Sequence, residues 1–179
     1  MITHIAITAL GSDRPGIVAS LSKVLYKTDC NIEDSSMTLI GGEFAIIMIV
    51  AVGKTSLNTL KSKLNSLGKR IGLTLSIREL SNKEIKRKDT KNNYIFSIYG
   101  ADKPGIVYKV SDFLAKNKIN ITDVQTNMSG SGKNATYIMF LETSIPDPDK
   151  LDKIKADISK TAKELKIKVS INPVESSQL

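Results

Sequence analysis

The sequence predicts an α+β fold built twice, each half running strand, helix, strand, strand, helix, strand. Three observations carry this. Gly-Ser-Asp-Arg-Pro-Gly-Ile-Val at 11–18 returns as Gly-Ala-Asp-Lys-Pro-Gly-Ile-Val at 100–107, an offset of 89 residues. The register then continues through Ser22, Leu25, Lys27, Asn31, Ile32 and Asp34, matched by Ser111, Leu114, Lys116, Asn120, Ile121 and Asp123, which makes 12 identities in 24 positions. Around both copies the apolar residues switch between the two-residue period of strands and the 3.6-residue period of helices. Self-similarity at a fixed offset means two copies of one folding unit rather than one large core. In 179 residues each unit is near the size where a single core only just suffices. We place the first domain at 1–82, a basic linker at 83–92, the second domain at 93–174 and a loose tail at 175–179.

Ile2 to Leu10 alternates at Ile5, Ile7 and Ala9 and runs into a Gly-Ser-Asp-Arg-Pro-Gly turn, the pattern of a strand with a firm stop. Ile17, Leu21, Val24 and Leu25 recur at helical spacing, with Pro15 expected in the first turn, where no donor is needed, and Asp13 near the positive helix start. This helix should stop near Asp29 to Asn31. Ile32 to Ile40 reads as a strand, Gly41-Gly42 as a tight hairpin, and Phe44 to Val52 as a strand buried on both faces or nearly so. Leu57, Leu60, Leu64, Leu67 and Ile71 mark a second helix, and Leu73 to Leu80 a fourth strand. The second copy has strands at Tyr94 to Tyr99, Ile119 to Met128, Ala135 to Thr143 and Ile167 to Ile171. Its first helix, Pro104 to Lys116, turns Ile106, Val107, Val110, Phe113 and Leu114 inward; its second carries Leu151, Ile154, Ile158, Ala162 and Leu165 after Pro146 and Pro148. The loop Ser129 to Lys133 is longer than Gly41-Gly42 and is the main departure between copies. The order βαββαβ is the ferredoxin-like split βαβ arrangement, antiparallel sheets with helices on one face.

Composition narrows the function. The hydrophobic fraction of 41% and charged fraction of 25% are those of a globular protein, and no stretch approaches the roughly 20 apolar residues of a membrane span. The start Met1-Ile2-Thr3-His4 is not a secretory signal, so the expected location is the cytoplasm, with no membrane partner. His4 is the only histidine and Cys30 the only cysteine, which excludes multi-histidine and multi-cysteine metal sites within one chain. Cys30 is expected to pack at a helix end. Neither a P-loop nor a dinucleotide fingerprint is present, and no cofactor, metal or catalytic residue is expected. The net charge of +8 invites a nucleic-acid reading, but the one dense basic run is the linker, with five basic and two acidic residues in 83–92. Without aromatic interleaving or a recognition helix, direct nucleic-acid contact is the less favoured reading.

What remains is the duplicated turn and the Asn-Ile pair that opens the following strand. In a βαβ unit the loop after the first strand can approach the start of the next, which would bring Asp13 and Asn31 to one pocket. Backbone N–H groups at a helix start suit a carboxylate, an Asn amide donates or accepts, and an Asp carboxylate suits an ammonium group. Gly16 would leave the backbone open to a ligand. The set matches an α-amino acid zwitterion. The same residues also serve turn chemistry and helix termination, and the residues alone leave both readings open.

The Asp-Arg-Pro-Gly-Ile-Val and Asp-Lys-Pro-Gly-Ile-Val turns, each followed 16 residues after its Pro by Asn-Ile, resemble ACT domains, small regulatory modules of amino-acid metabolism. The resemblance covers nearly the whole chain. It implies βαββαβ units paired side by side, amino-acid binding at the interface between units, and ligand positions at Gly11, Asp13 and Asn31 and at Gly100, Asp102 and Asn120. Their neighbours Ser12, Arg14, Pro15, Gly16 and Ile32, and Ala101, Lys103, Pro104, Gly105 and Ile121, complete the candidate set. Serine-binding relatives often carry His and Asn where this chain has Gly11 and Asp13. The implied function is a non-catalytic regulator that binds a small amino acid such as glycine and modulates a protein partner, for example a transcriptional activator, as a possible homodimer. A regulatory subunit of a metabolic enzyme is the alternative.

Overall fold

Ile5, Ile7 and Ala9 alternate along β1 (Thr3–Ser12), so one face of that strand is apolar and must be covered. In the computed structural model, which describes residues 2–54, 56–81, 84–85, 92–130 and 135–174, the cover is α1 (Ile17–Tyr26) and α2 (Leu57–Ile71). With β2 (Cys30–Ile40), β3 (Glu43–Val52) and β4 (Thr74–Leu80), they form the first of two compact units, Met1–Arg87 and Lys88–Leu179. The sheet order is β2-β3-β1-β4, every neighbouring pair antiparallel. Two antiparallel steps separate β2 from β1, so those two strands run in the same direction.

The core lies between sheet and helices. Ile5 and Ile7 of β1, Phe44, Met48 and Val50 of β3, Leu21 and Leu25 of α1, and Leu60 and Leu64 of α2 are all at most 2% exposed. Burying each such side chain contributes about 1.5–3 kcal/mol before the entropy of ordering it is subtracted. The expectation that Phe44 to Val52 is buried on both faces or nearly so is corrected: Phe44, Ile46, Met48, Val50 and Val52 are buried, whereas Ile47 is 53% exposed. Both helices lie on one face, and the other is open.

Local signals set the ends. Pro15 precedes the helix instead of sitting in its first turn, because Gly16 (φ 91°) is the N-cap of α1. The helix stops where the Thr28 hydroxyl donates to the Val24 carbonyl at 2.8 Å and Asp29 turns left-handed at φ 54°. Cys30 packs beyond it against the core, as its position at the helix end suggested. Ser56 Oγ caps α2 by accepting from Thr59 N at 3.2 Å, and Gly72 closes that helix at φ 68°.

The second unit repeats the plan with β5 (Asn93–Ala101), α3 (Ile106–Lys116), β6 (Asn120–Ser129), β7 (Thr136–Ser144), a 3-10 turn at Pro148–Lys150, α4 (Leu151–Leu165) and β8 (Ile167–Pro173), sheet order β6-β7-β5-β8. Phe96, Ile98, Met139 and Leu141 meet Ile106, Val110 and Leu114 of α3 and Ile154 of α4. Val107, expected inward, is 47% exposed, and Phe113 packs only at the core margin. The i, i+4 row Ile106, Val110, Leu114 already fills the face toward the sheet, and Val107 lies about 100° round the helix from it. Most of the linker 83–92, residues 131–134 of the long hairpin and the tail 175–179 fall outside the described residues. Among the described residues, no helix is long and apolar enough to cross a membrane.

Candidate functional site

The repeated turn leaves β1 at Ser12 and enters α1 at Ile17, and its two halves face different neighbours. Asp13 N donates to the Gly42 carbonyl at 2.8 Å, which ties the start of the turn to the β2–β3 hairpin. Arg14, Pro15 and Gly16 instead line a hollow of about 290 Å3 with Ile17, Ser20, Arg70 and Ile71. Gly16 holds φ 91° and Gly105, its counterpart, φ 95°, in the left-handed region that glycine enters without a Cβ clash. No side chain caps α1 or α3, so the first-turn amides at Ile17 and at Ile106 have no side-chain acceptor. A Cβ built on Gly16 or Gly105 would meet nothing within 4 Å, so the backbone there is open to a ligand.

Gly11 and Gly100 have a different reason to be glycine. A Cβ on Gly11 would sit 2.7 Å from the Gly72 carbonyl oxygen and 2.8 Å from Leu73 Cδ2; one on Gly100 would sit 2.7 Å from Ile167 Cγ2. Close packing of β1 on the start of β4, and of β5 on the start of β8, accounts for both.

The proximity expected for Asp13 and Asn31 is corrected. Asn31 pairs with Ala51 at the end of the sheet where β1 begins, whereas Ser12, next to Asp13, pairs with Glu43 at the other end. Eight residues of β3 separate these levels, about 27 Å at the usual strand rise. The physical reason is direction: β2 runs with β1, so its first residues return to the level of the β1 start. Asn120, opposite Ser144, and Ala101, opposite Thr136, repeat this in the second unit, which separates Asn120 from Asp102. Within a unit, then, Ser12 to Gly16 form one cluster with Gly11 behind it, and Ala101 to Gly105 form another with Gly100 behind it. Asn31-Ile32 and Asn120-Ile121 stand at the far ends of β2 and β6. Both of these are edge strands, and β2 is exposed along its length apart from Cys30.

Two residues outside the repeated motif belong to the description. Arg70, in the last turn of α2, brings a second guanidinium to the hollow beside Arg14. Arg70 lies off the apolar row Leu57, Leu60, Leu64, Leu67 and Ile71, and only packing of α2 beside α1 places it at the turn. Tyr137 stands opposite Gly100 where Phe44 stands opposite Gly11. Burial, then the nearby Asp102 carboxylate, pushes the Tyr137 hydroxyl above the usual phenol value, with a bond to Thr126 opposing. The sequence signal was the Phe-to-Tyr change between copies.

Comparison with known proteins follows the duplication. The ACT domain pattern matches residues 3–78 and again 94–172. Across 177 residues the chain is 24% identical to the glycine cleavage system transcriptional repressor of Escherichia coli K12, covering 98% of this chain and 92% of that protein. A crystal structure of an unknown protein from Galdieria sulphuraria superposes with a TM-score of 0.83 at 25% identity, covering 98% of this chain and all of that one. Another, of a protein provisionally assigned as a glycine cleavage system transcriptional repressor, superposes at 0.72 with 21% identity over 98% and 99% of the two chains. The latter is a likeness of fold.

Proposed function

The chain belongs to the ACT domain family, and from that premise we propose that it is a non-catalytic regulator that binds a small amino acid, glycine being the first to test, and thereby changes its affinity for a protein partner. What supports this reading is the register of the β2 edge. Asn31 stands at one end of that exposed edge and the corner joining Asp13 to Gly42 at the other. When two such edges from two copies of the chain lie antiparallel, each Asn31 arrives beside the other copy's corner. β1 lies two strand spacings from its own β2 and three from the β2 of the facing copy, about 14 Å, a gap that a zwitterion and the flanking side chains span. The Asn carboxamide and the uncapped amides at the helix start then face the ligand from two sides. Asn120 and the Asp102 corner offer the same arrangement along β6.

Regulation needs a ligand that prefers one state, and couplings of this kind run about 1–3 kcal/mol. A partner such as a transcriptional activator is consistent with the relationship to the Escherichia coli repressor. Titration calorimetry with glycine, and a melting screen of the other amino acids, tests the reading, since a ligand that binds only the native state raises its melting temperature. Asn31→Ala or Asn120→Ala should weaken the binding at least about tenfold, the size of one lost polar contact to a charged group. If no amino acid moves the melting temperature, or if both Asn variants bind like the parent, the sensing reading fails. Affinity capture with and without the bound amino acid then separates a transcriptional activator from a metabolic enzyme as the partner.

A further inference from the structure

The helical faces of the two units share one frame but differ in charge: the α1–α2 groove is purely basic, whereas the α3–α4 hollow is mixed, with Lys109 and Lys116 beside Asp112 and Glu164. In the first unit α1 and α2 enclose a groove of about 670 Å3. Lys23 and Lys27 rise from one wall and Lys63 and Arg70 from the other, and no acidic side chain lines it. Among the described residues none of these four cations lies in an ion pair. Ser20, Ser62 and Ser66 add hydroxyls, and Val24 and Leu67 form an apolar floor.

The second unit acts as an internal control. α1 and α3 begin at Ile17 and Ile106, α2 and α4 at Leu57 and Leu151, so positions 23, 27, 63 and 70 correspond to Asp112, Lys116, Asp157 and Glu164. Three of the four cations become carboxylates. Two of those are neutralised locally, Asp112 by Lys116 at 2.7 Å and Asp157 by Lys160 at 2.9 Å. Basic residues near a helix C-terminus relieve its dipole, which would explain Arg70 in the last turn of α2. Yet Glu164 stands at the matching place on α4, so the fold does not require a cation there. Four unpaired cations in one concavity repel one another in the free protein, a cost that an anion removes.

We propose that the α1–α2 groove of the first unit binds a small metabolite carrying two or more linked phosphoryl groups. Its volume is that of a small-molecule site. The ammonium and guanidinium groups match phosphoryl oxygens, with Arg supplying a two-pronged fork, the hydroxyls supply further donors, and the floor accepts an apolar part such as a base or ribose. The neighbouring hollow at Arg14 shares Ser20 and Arg70 with the groove, so an anion in the groove touches residues that also line the repeated turn.

Pyrophosphate and ATP are the probes, titrated calorimetrically into the full chain at about 0.15 M salt, where contacts between exposed charges farther apart than about 8 Å are screened. The test variant carries Lys23→Asp with Lys63→Asp, which copies the residues of the second unit and so keeps a tolerated helix surface. The control carries Lys153→Asp with Lys155→Asp, the same charge change on the exposed face of α4. Binding of at least one probe, weakened about tenfold or more by the first pair and less than about twofold by the second, is the expected result. Lys27→Ala should weaken it in the same direction with an unchanged melting temperature, which separates lost contacts from lost folding. Absence of binding for both probes, equal weakening by the two pairs, or binding confined to an oligonucleotide overturns the proposal.

Discussion

Gly11→Ala separates two explanations for a residue in the repeated motif, a clearance for ligand or a clearance for the protein's own backbone. The added methyl would lie 2.7 Å from the Gly72 carbonyl oxygen and 2.8 Å from Leu73 Cδ2. Leu73 is 7% exposed and packs in the core, and the carbonyl belongs to the left-handed residue that closes α2, so neither neighbour yields easily. Overpacking of this kind costs about 1–3 kcal/mol. For a unit of this size each kcal/mol lowers the melting temperature by about 4–8 °C, so the first unit should lose roughly 10 °C. Calorimetry reads the loss, and hydrogen exchange in β1 and β4 assigns it to the first unit. The comparison is Gly16→Ala, where the Cβ meets nothing and only the left-handed backbone is penalised, about 1–2 kcal/mol. A Gly11→Ala protein as stable as the parent, with exchange in β1 and β4 unchanged, would refute the packing argument and return Gly11 to the ligand.

Three further outcomes follow from the same structure. Leu64→Ala, at a fully buried position between α2 and the sheet, should cost about 2–5 kcal/mol in urea unfolding. Thr28→Val, which keeps the shape but removes the hydroxyl that donates to the Val24 carbonyl, should cost about 1 kcal/mol and fray the end of α1 in exchange measurements. Ultraviolet titration should find Tyr137 ionising above the ordinary phenol value of 10.0, and Asp102→Asn should bring it part of the way down. Because its folded-state value is raised, the contribution of Tyr137 to stability is whole below pH 10 and is lost as pH climbs through that raised value, so alkaline unfolding should begin earlier in the parent than in Tyr137→Phe.

The element order could be read from the chain because its determinants are local. Leu57, Leu60, Leu64, Leu67 and Ile71 define α2 to the residue, and Leu151 to Leu165 define α4, since an apolar row at helical spacing has one way to face a sheet. The Pro-Gly turns marked where β1 and β5 end because only glycine enters φ near 90° without strain. Burial was legible where it followed the period of one element and misjudged at Ile47 and Val107, where it depended on which face or row a neighbouring element covers. The candidate site was legible in the same uneven way: Arg14, Pro15 and Gly16 do line a hollow, but Arg70 comes from a helix more than 50 residues away and had no local sign of belonging to it.

Sequence alone therefore determined the duplication, the βαββαβ order and the residues of the repeated corner, all set by spacing along the chain. Tertiary structure decided that Asn31 and Asp13 stand at opposite ends of one sheet, and that α1 and α2 gather four cations where α3 and α4 set Lys109 and Lys116 beside Asp112 and Glu164. Both depend on the direction in which a crossover returns a strand and on which helix faces which. Residue spacing does not encode these relations; they arise only when separate elements bury their apolar faces against one another.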